Sequence, residues 1–226
     1  DQALLPAGGF GYITVRDGTT LSANVILPGP ADAGPYPTVV EYSGYQPSDP
    51  DSAQLAALYT TQGFAYVGVN MRGTGCSGGS FRFFETVQSL DGYDVVEAVA
   101  AQPWVMDNEV GMVGISYPGI CQLFVAATQP PSLNSITPLS VLDDSFRSTL
   151  YPGGILNTGF AVDWTQQRVD NGKPYGMLKI VSTLEEANQV VWARPVDCAQ
   201  APDGSIVFSS DQPGRIYRLQ HVRRPE

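Results

Sequence analysis

One stretch limits the possible folds more than any other part of the chain: VGMVGISYPG at positions 110–119. An apolar run stops at Ser116, Pro118 and Gly119 follow, and the next segment carries Cys121, Leu123, Phe124 and Ala127 at helical spacing. This pattern predicts a buried strand, an abrupt turn at the serine and a helix beginning just past it, the layout of a nucleophile elbow. Gly114 removes side-chain bulk where the turn would crowd its neighbours. Pro118 suits the first helical turn, where a missing N–H costs nothing. Such a helix aims its first N–H groups at whatever is bonded to Ser116, which favours a developing oxyanion. The strict G-x-S-x-G pattern is not met, because Pro118 stands two positions after the serine. Read from these residues alone, the alternative is an ordinary strand–turn–helix that exposes a serine.

The rest of the chain gives this motif a context. Residues 11–15 and 21–27 read as strands, with Arg16-Asp17-Gly18 as the hairpin turn between them. Residues 38–42 form a short β-branched strand, left through a loop that contains Tyr45. Asp51 or Ser52 caps a helix running to about Gln62, with Leu55, Leu58 and Tyr59 on its inner face and Gly63 as its stop. Residues 65–70 are the next strand, and residues 71–80 a glycine-rich loop. No G-K-[ST] follows that loop, so it reads as a tight turn rather than a phosphate cradle. A helix over 89–102 places Leu90, Tyr93, Val96 and Val99 inward; Asp91, Asp94 and Glu97 then read as a solvated face. Residues 136–141 fit one more strand after the elbow helix. Strands alternating with amphipathic helices imply a mostly parallel sheet covered on both faces. Tyr45, the 72–79 loop and Ser116 all fall at carboxyl ends of strands, where such sheets gather their functional residues.

Composition excludes several classes. A net charge of −10, with Lys173 and Lys179 the only lysines, argues against nucleic acid or an anionic membrane as partner. No run is long enough to span a membrane, and no basic segment followed by an apolar one opens the chain, so no signal peptide is expected in it. Both a secreted mature form and a cytoplasmic protein fit. Cys76, Cys121 and Cys198 are too scattered for a C-x-x-C site. Cys76 and Cys121 would bridge if the loop and the helix carrying them meet. With His221 the only histidine, a His-rich metal site is excluded. No metal or cofactor is expected.

The stretches RDGTTL (16–21), NMRGTGCSGG (70–79), DGYD (91–94), GISYPG (114–119) and LYPGG (150–154) occur in the order found in the CocE/NonD hydrolases, relatives of the X-Pro dipeptidyl-peptidases. The chain resembles the N-terminal part of that family from about residue 9 to about residue 176. The family's elbow commonly reads G-x-S-Y-x-G, which accommodates Pro118. The resemblance implies an α/β-hydrolase whose nucleophile is Ser116, attacking an ester or amide carbonyl to form an acyl-enzyme. It also implies an oxyanion hole made by the hydroxyl of Tyr45 and the backbone N–H of Tyr117. An acyl ester, an X-Pro peptide and a β-lactam-like amide are all compatible substrates, and the partner expected is a small-molecule ester or amide.

The same resemblance implies an acid and a histidine beyond a helical lid, with a jelly-roll domain after or around them. Only 110 residues follow Ser116, too few for all of that, so a truncated hydrolase core over 1–176 is expected. Residues 177–226 read as a junction helix at about 179–192 and a short β-meander, with strands at 206–209 and 215–219 between turn signals. This tail resembles one blade of a sorbosone-type quinoprotein dehydrogenase propeller; a single blade cannot build a cofactor site. By elimination His221 is the one possible histidine base, with Asp197 or Asp211 to orient it. Otherwise His221 is a solvated residue near the end of the chain. Two functions follow: a serine hydrolase, impaired if its partners are absent, or a non-catalytic scaffold.

Overall fold

In the computed structural model, residues 4–51, 54–82, 84–142, 144–171, 195–200, 206–210 and 215–219 are described. A six-stranded sheet runs in the order β1-β2-β4-β3-β5-β6, made of β1 (Gly9–Thr14), β2 (Thr20–Ile26), β3 (Tyr36–Ser43), β4 (Ala65–Asn70), β5 (Val105–Ile115) and β6 (Leu133–Leu139). Strands β3, β4, β5 and β6 pair in parallel, while β1 and β2 add an antiparallel edge. Every residue of β4 is buried, as are the last six of β3. Burial on both faces explains why these strands read as continuous β-branched runs.

The helices are α1 (Gln54–Thr60), α2 (Thr86–Ala100), α3 (Tyr117–Ala126) and α4 (Ala161–Asn171). Alternate residues of the central strands serve opposite cores. Val40, Tyr42, Val67 and Met112 pack with Val95, Val96 and Val99 of α2 and with Cys121 and Val125 of α3. Val39, Tyr66 and Val113 pack with Ala56 of α1 on the other face. The chain passes from β3 through α1 to β4, then returns across β3 to β5. That reversal opens a crevice between the carboxyl ends of β3 and β5, the place where open α/β sheets bind ligands.

Three side-chain expectations are corrected. Asp91, Asp94 and Glu97 are not a solvated face. Asp91 is 1% exposed and clamped by Arg72, Asp94 pairs with Arg16, and Glu97 accepts from the N–H and hydroxyl of Ser132. The acidic stripe of α2 anchors it to the hairpin, the glycine-rich loop and the start of β6. Its apolar stripe is centred on Val95, Val96 and Val99, with Leu90 and Tyr93 only half-buried. In α1, Leu58 is 58% exposed and the small Ala56 faces inward, because a seven-residue helix offers the sheet only a narrow contact. Cys76 and Cys121 are not joined by a disulfide; Cys121 is buried on the core side of α3.

On the α1 face, the Tyr66 hydroxyl donates to Glu41 Oε2 at 2.5 Å. Burial raises the Glu41 carboxyl above its ordinary value, and the bond from Tyr66 opposes the shift. The folded protein therefore holds this proton more tightly than the unfolded chain does. Stability falls as pH rises from the ordinary glutamate range through the raised value. Urea melts at pH 4.5 and 7 are expected to show wild type losing stability between the two pH values, a loss that Glu41→Gln lacks at this site. An equal change of unfolding free energy with pH in both proteins would rule Glu41 out as the source.

The chain divides into two units, Asp1–Gly172 and Lys173–Glu226. In the second, the two expected meander strands are β8 (Ile206–Ser210) and β9 (Arg215–Leu219); β7 (Pro195–Gln200), which was not expected, adds a third, and the three pair antiparallel in the order β7-β8-β9. The boundary at 176/177, the helix over 179–192, and the Asp211 and His221 positions lie outside the described residues. No helix among the described residues is long and apolar enough to cross a membrane.

Candidate active site

The turn after β5 is built by small residues at two close approaches. Gly114 has φ +143°, and a Cβ there would stand 2.5 Å from Pro118 Cβ. A Cβ on Gly119 would stand 2.3 Å from the Leu139 carbonyl oxygen. The glycine at the third position after the serine thus lets the first turn of α3 cross the end of β6. Between these glycines Ser116 takes φ 66° and ψ −121°, a conformation a non-glycine residue adopts only when its surroundings impose it. Its N–H donates to Leu139 O at 2.9 Å and its carbonyl accepts from Ile120 N at 2.8 Å. The backbone is pinned on both sides, and the side chain is left exposed.

Gln122, fully buried on α3, braces the bend. Its amide donates to Pro118 O at 3.0 Å, and its carbonyl accepts from Thr137 N at 2.8 Å. Tyr117 begins α3, so its N–H belongs to the first turn, which has no intrahelical acceptor. The Tyr117 side chain turns away from the serine into the core. It is 1% exposed, stacks on Phe84 at 4.7 Å and approaches Gln88 Oε1 through its hydroxyl at 3.5 Å. Burial pushes that phenol well above its ordinary pKa.

Tyr45 arrives from the end of β3. Its N–H donates to Ser43 Oγ at 3.1 Å, and its carbonyl accepts from Asn70 Nδ2 at 2.7 Å. Asn70 itself is fully buried, and its Oδ1 accepts from the Ser48 N–H and hydroxyl. The tyrosine loop is thereby tied to the end of β4. The Tyr45 hydroxyl oxygen stands 3.5 Å from Ser116 Oγ. That is long for a hydrogen bond but within the range from which catalytic contacts tighten once substrate is bound.

The glycine-rich loop over 71–80 uses these donors on itself and on the adjoining strands: Gly73 N–H bonds Gly78 O, Gly78 N–H bonds Thr20 O, and Ser77 Oγ bonds Asn70 O, each at 2.8 Å. Arg72 in this loop holds Asp91 with two bonds of 2.6 Å and Asp17 with one of 3.0 Å. Three of the motifs that carry the resemblance therefore meet in one ion network. Hydrogen bonds from Thr19, then from Arg72, bring the Asp17 carboxyl down to about 2. Burial raises Asp91, and the Arg72 guanidinium opposes that shift.

Beside Ser116 opens a cavity of about 310 Å³, lined by Ile120, Leu150, Phe160 and Trp164 with Ser140 and Thr149 among its polar points. Helix α4 supplies two groups that the sequence reading passed over. The Trp164 ring lies 5.8 Å from that of Tyr117, and the Arg168 guanidinium 4.9 Å from the centre of the Tyr45 ring. Their signal was present as aromatic and cationic residues at i, i+4 and i+8 from Phe160. Of the expected site residues, Ser116, Tyr45 and the Tyr117 N–H meet at one place. His221 lies outside the described residues.

The family model for the X-Pro dipeptidyl-peptidases (S15 family) matches residues 17–212, further along the chain than the motifs alone reached. A Mycobacterium bovis protein with an inferred serine-esterase name is 27% identical over 173 residues, covering 68% of this chain and 27% of its own. The cocaine esterase of a Rhodococcus species is 28% identical over 158 residues, with the same coverage. A CocE/NonD family hydrolase from Staphylococcus aureus superimposes with a TM-score of 0.63 at 26% identity, over 75% of this chain and 34% of its own. The chain thus spans about a quarter of the length of the curated relatives it matches.

Proposed function

Because the chain belongs to the X-Pro dipeptidyl-peptidase (S15) family, we propose that it cleaves small esters or amides through an acyl-enzyme on Ser116. The observation that carries the reading is the serine itself: exposed at the tip of a constrained bend, beside an apolar cavity, with a phenol 3.5 Å from its oxygen. In this reading Ser116 Oγ attacks the carbonyl carbon. The oxygen that gains charge accepts from the Tyr45 hydroxyl and the Tyr117 N–H, each such donor contributing a few kcal/mol to the transition state. The C–O or C–N bond then breaks, and water later releases the acyl group. Serine needs a base to lose its proton, and His221 is the one histidine that these 226 residues offer.

A second reading, a non-catalytic scaffold, draws on one observation of the sequence: a single histidine, His221, is present to serve as a base. A fluorophosphonate probe separates the two. Under the hydrolase reading the chain is labelled, and Ser116→Ala abolishes labelling. A wild-type chain that stays unlabelled while remaining folded supports the scaffold.

A further inference from the structure

Arg168 lies one helical turn beyond Trp164, with its charge over the ring of Tyr45. The other four arginines whose side chains are described, Arg16, Arg72, Arg82 and Arg147, each pair with a carboxylate. Among the described residues no carboxylate pairs with Arg168. A guanidinium presents about five N–H donors. Among the described residues its one acceptor is Gln167 Oε1, 3.1 Å from Nη2. Its Nε is sealed from solvent without any acceptor. Aromatic contact accounts for the charge lying over the ring, but it leaves the in-plane donors unmatched. Those donors are built for a planar anion, and they sit on the Tyr45 side of Ser116 while the apolar cavity opens beside the same serine.

We propose that Arg168 recognises a carboxylate on the substrate, so that this site takes acyl compounds carrying an anionic group a few atoms from the scissile carbonyl. As a statement about substrates, this rests on the hydrolase reading. An ester of that kind places its apolar part against Trp164 and Leu150 and its carboxylate against the guanidinium. The carbonyl lies between them, over Ser116. The positive charge then orients the substrate, and a neutral ester of the same size lacks that anchor.

Calorimetric titration with 3-phenylpropanoate and its uncharged isostere 3-phenylpropanamide tests this without any bond forming at Ser116. The acid is expected to bind about tenfold tighter than the amide at low salt, the advantage shrinking as salt is raised. Arg168→Gln should bring the acid down to the affinity of the amide, and Arg168→Lys should restore part of the difference. Equal binding of acid and amide to the wild type, no binding of the acid, or a preference that survives Arg168→Gln overturns the assignment. Absence of fluorophosphonate labelling defeats the hydrolase reading alone, so the two failures are distinguishable.

Discussion

Replacing Arg72 with methionine is expected to cost about 3–5 kcal/mol of unfolding stability at neutral pH. The reason is Asp91 rather than Arg72. The carboxylate is 1% exposed on α2, and both of its oxygens are held by the guanidinium at 2.6 Å. Without the cation it becomes a buried, uncompensated charge, and it escapes that state by taking up a proton. The loss should therefore shrink as pH falls, because the variant's raised Asp91 value makes its folded state bind the proton more tightly than its unfolded chain. Adding Asp91→Asn to the variant should recover part of the loss at neutral pH. Guanidinium melts of the single and double variants at pH 5 and 7.5 give all the values needed. A single variant destabilised by less than about 1 kcal/mol would mean that the ion network contributes no more than a surface pair does.

The second large effect falls on chemistry. Tyr45→Phe is expected to slow phosphonylation of Ser116 by about 10²–10³-fold, the usual consequence of deleting one oxyanion donor. Thermal stability should scarcely change. The hydroxyl's recorded partner is Ser116 Oγ, and phenylalanine keeps the ring contacts with Tyr117 and Arg168. Stopped-time labelling followed by mass spectrometry reads the rate. A decrease smaller than about threefold would show that the phenol does not face the developing charge, and the oxyanion role would pass to backbone N–H groups alone.

Much of the sheet was legible because its signals are local. β4 coincides with the strand read over 65–70, and the hairpin, β3, β5 and the start of α3 lie where alternation, β-branching and turn residues put them. The meander strands β8 and β9 follow the same logic of turn signals between short apolar runs. The residues of α2 show where such reasoning stops. An aspartate at helical spacing among valines reads as solvent-facing unless its cation is known, and that cation comes from a loop 19 residues earlier in the chain. A buried ion pair has no period. Leu58 teaches the converse: in this seven-residue helix the buried contact falls on Ala56, with Leu55 and Tyr59 packed beside it, and Leu58 is left exposed.

The site divides along the same line. Ser116 and its turn were fixed by the chain itself, because an apolar run, two glycines and a proline leave few backbone paths and all of them bend at the serine. Tyr45 was reachable through motif order. Asn70, Gln122, Trp164 and Arg168 were not, since each matters only for what it touches across the fold. Asn70 ties the tyrosine loop to β4, Gln122 locks the bend to β6, and α4 brings an indole and a guanidinium to the aromatic rings beside the serine. Backbone direction is a short-range property set by sterics and hydrogen bonds within a few residues, so sequence carries it. Which charge neutralises which, and which ring walls a cavity, depends on distances between segments tens of residues apart, and those exist only once the sheet has assembled.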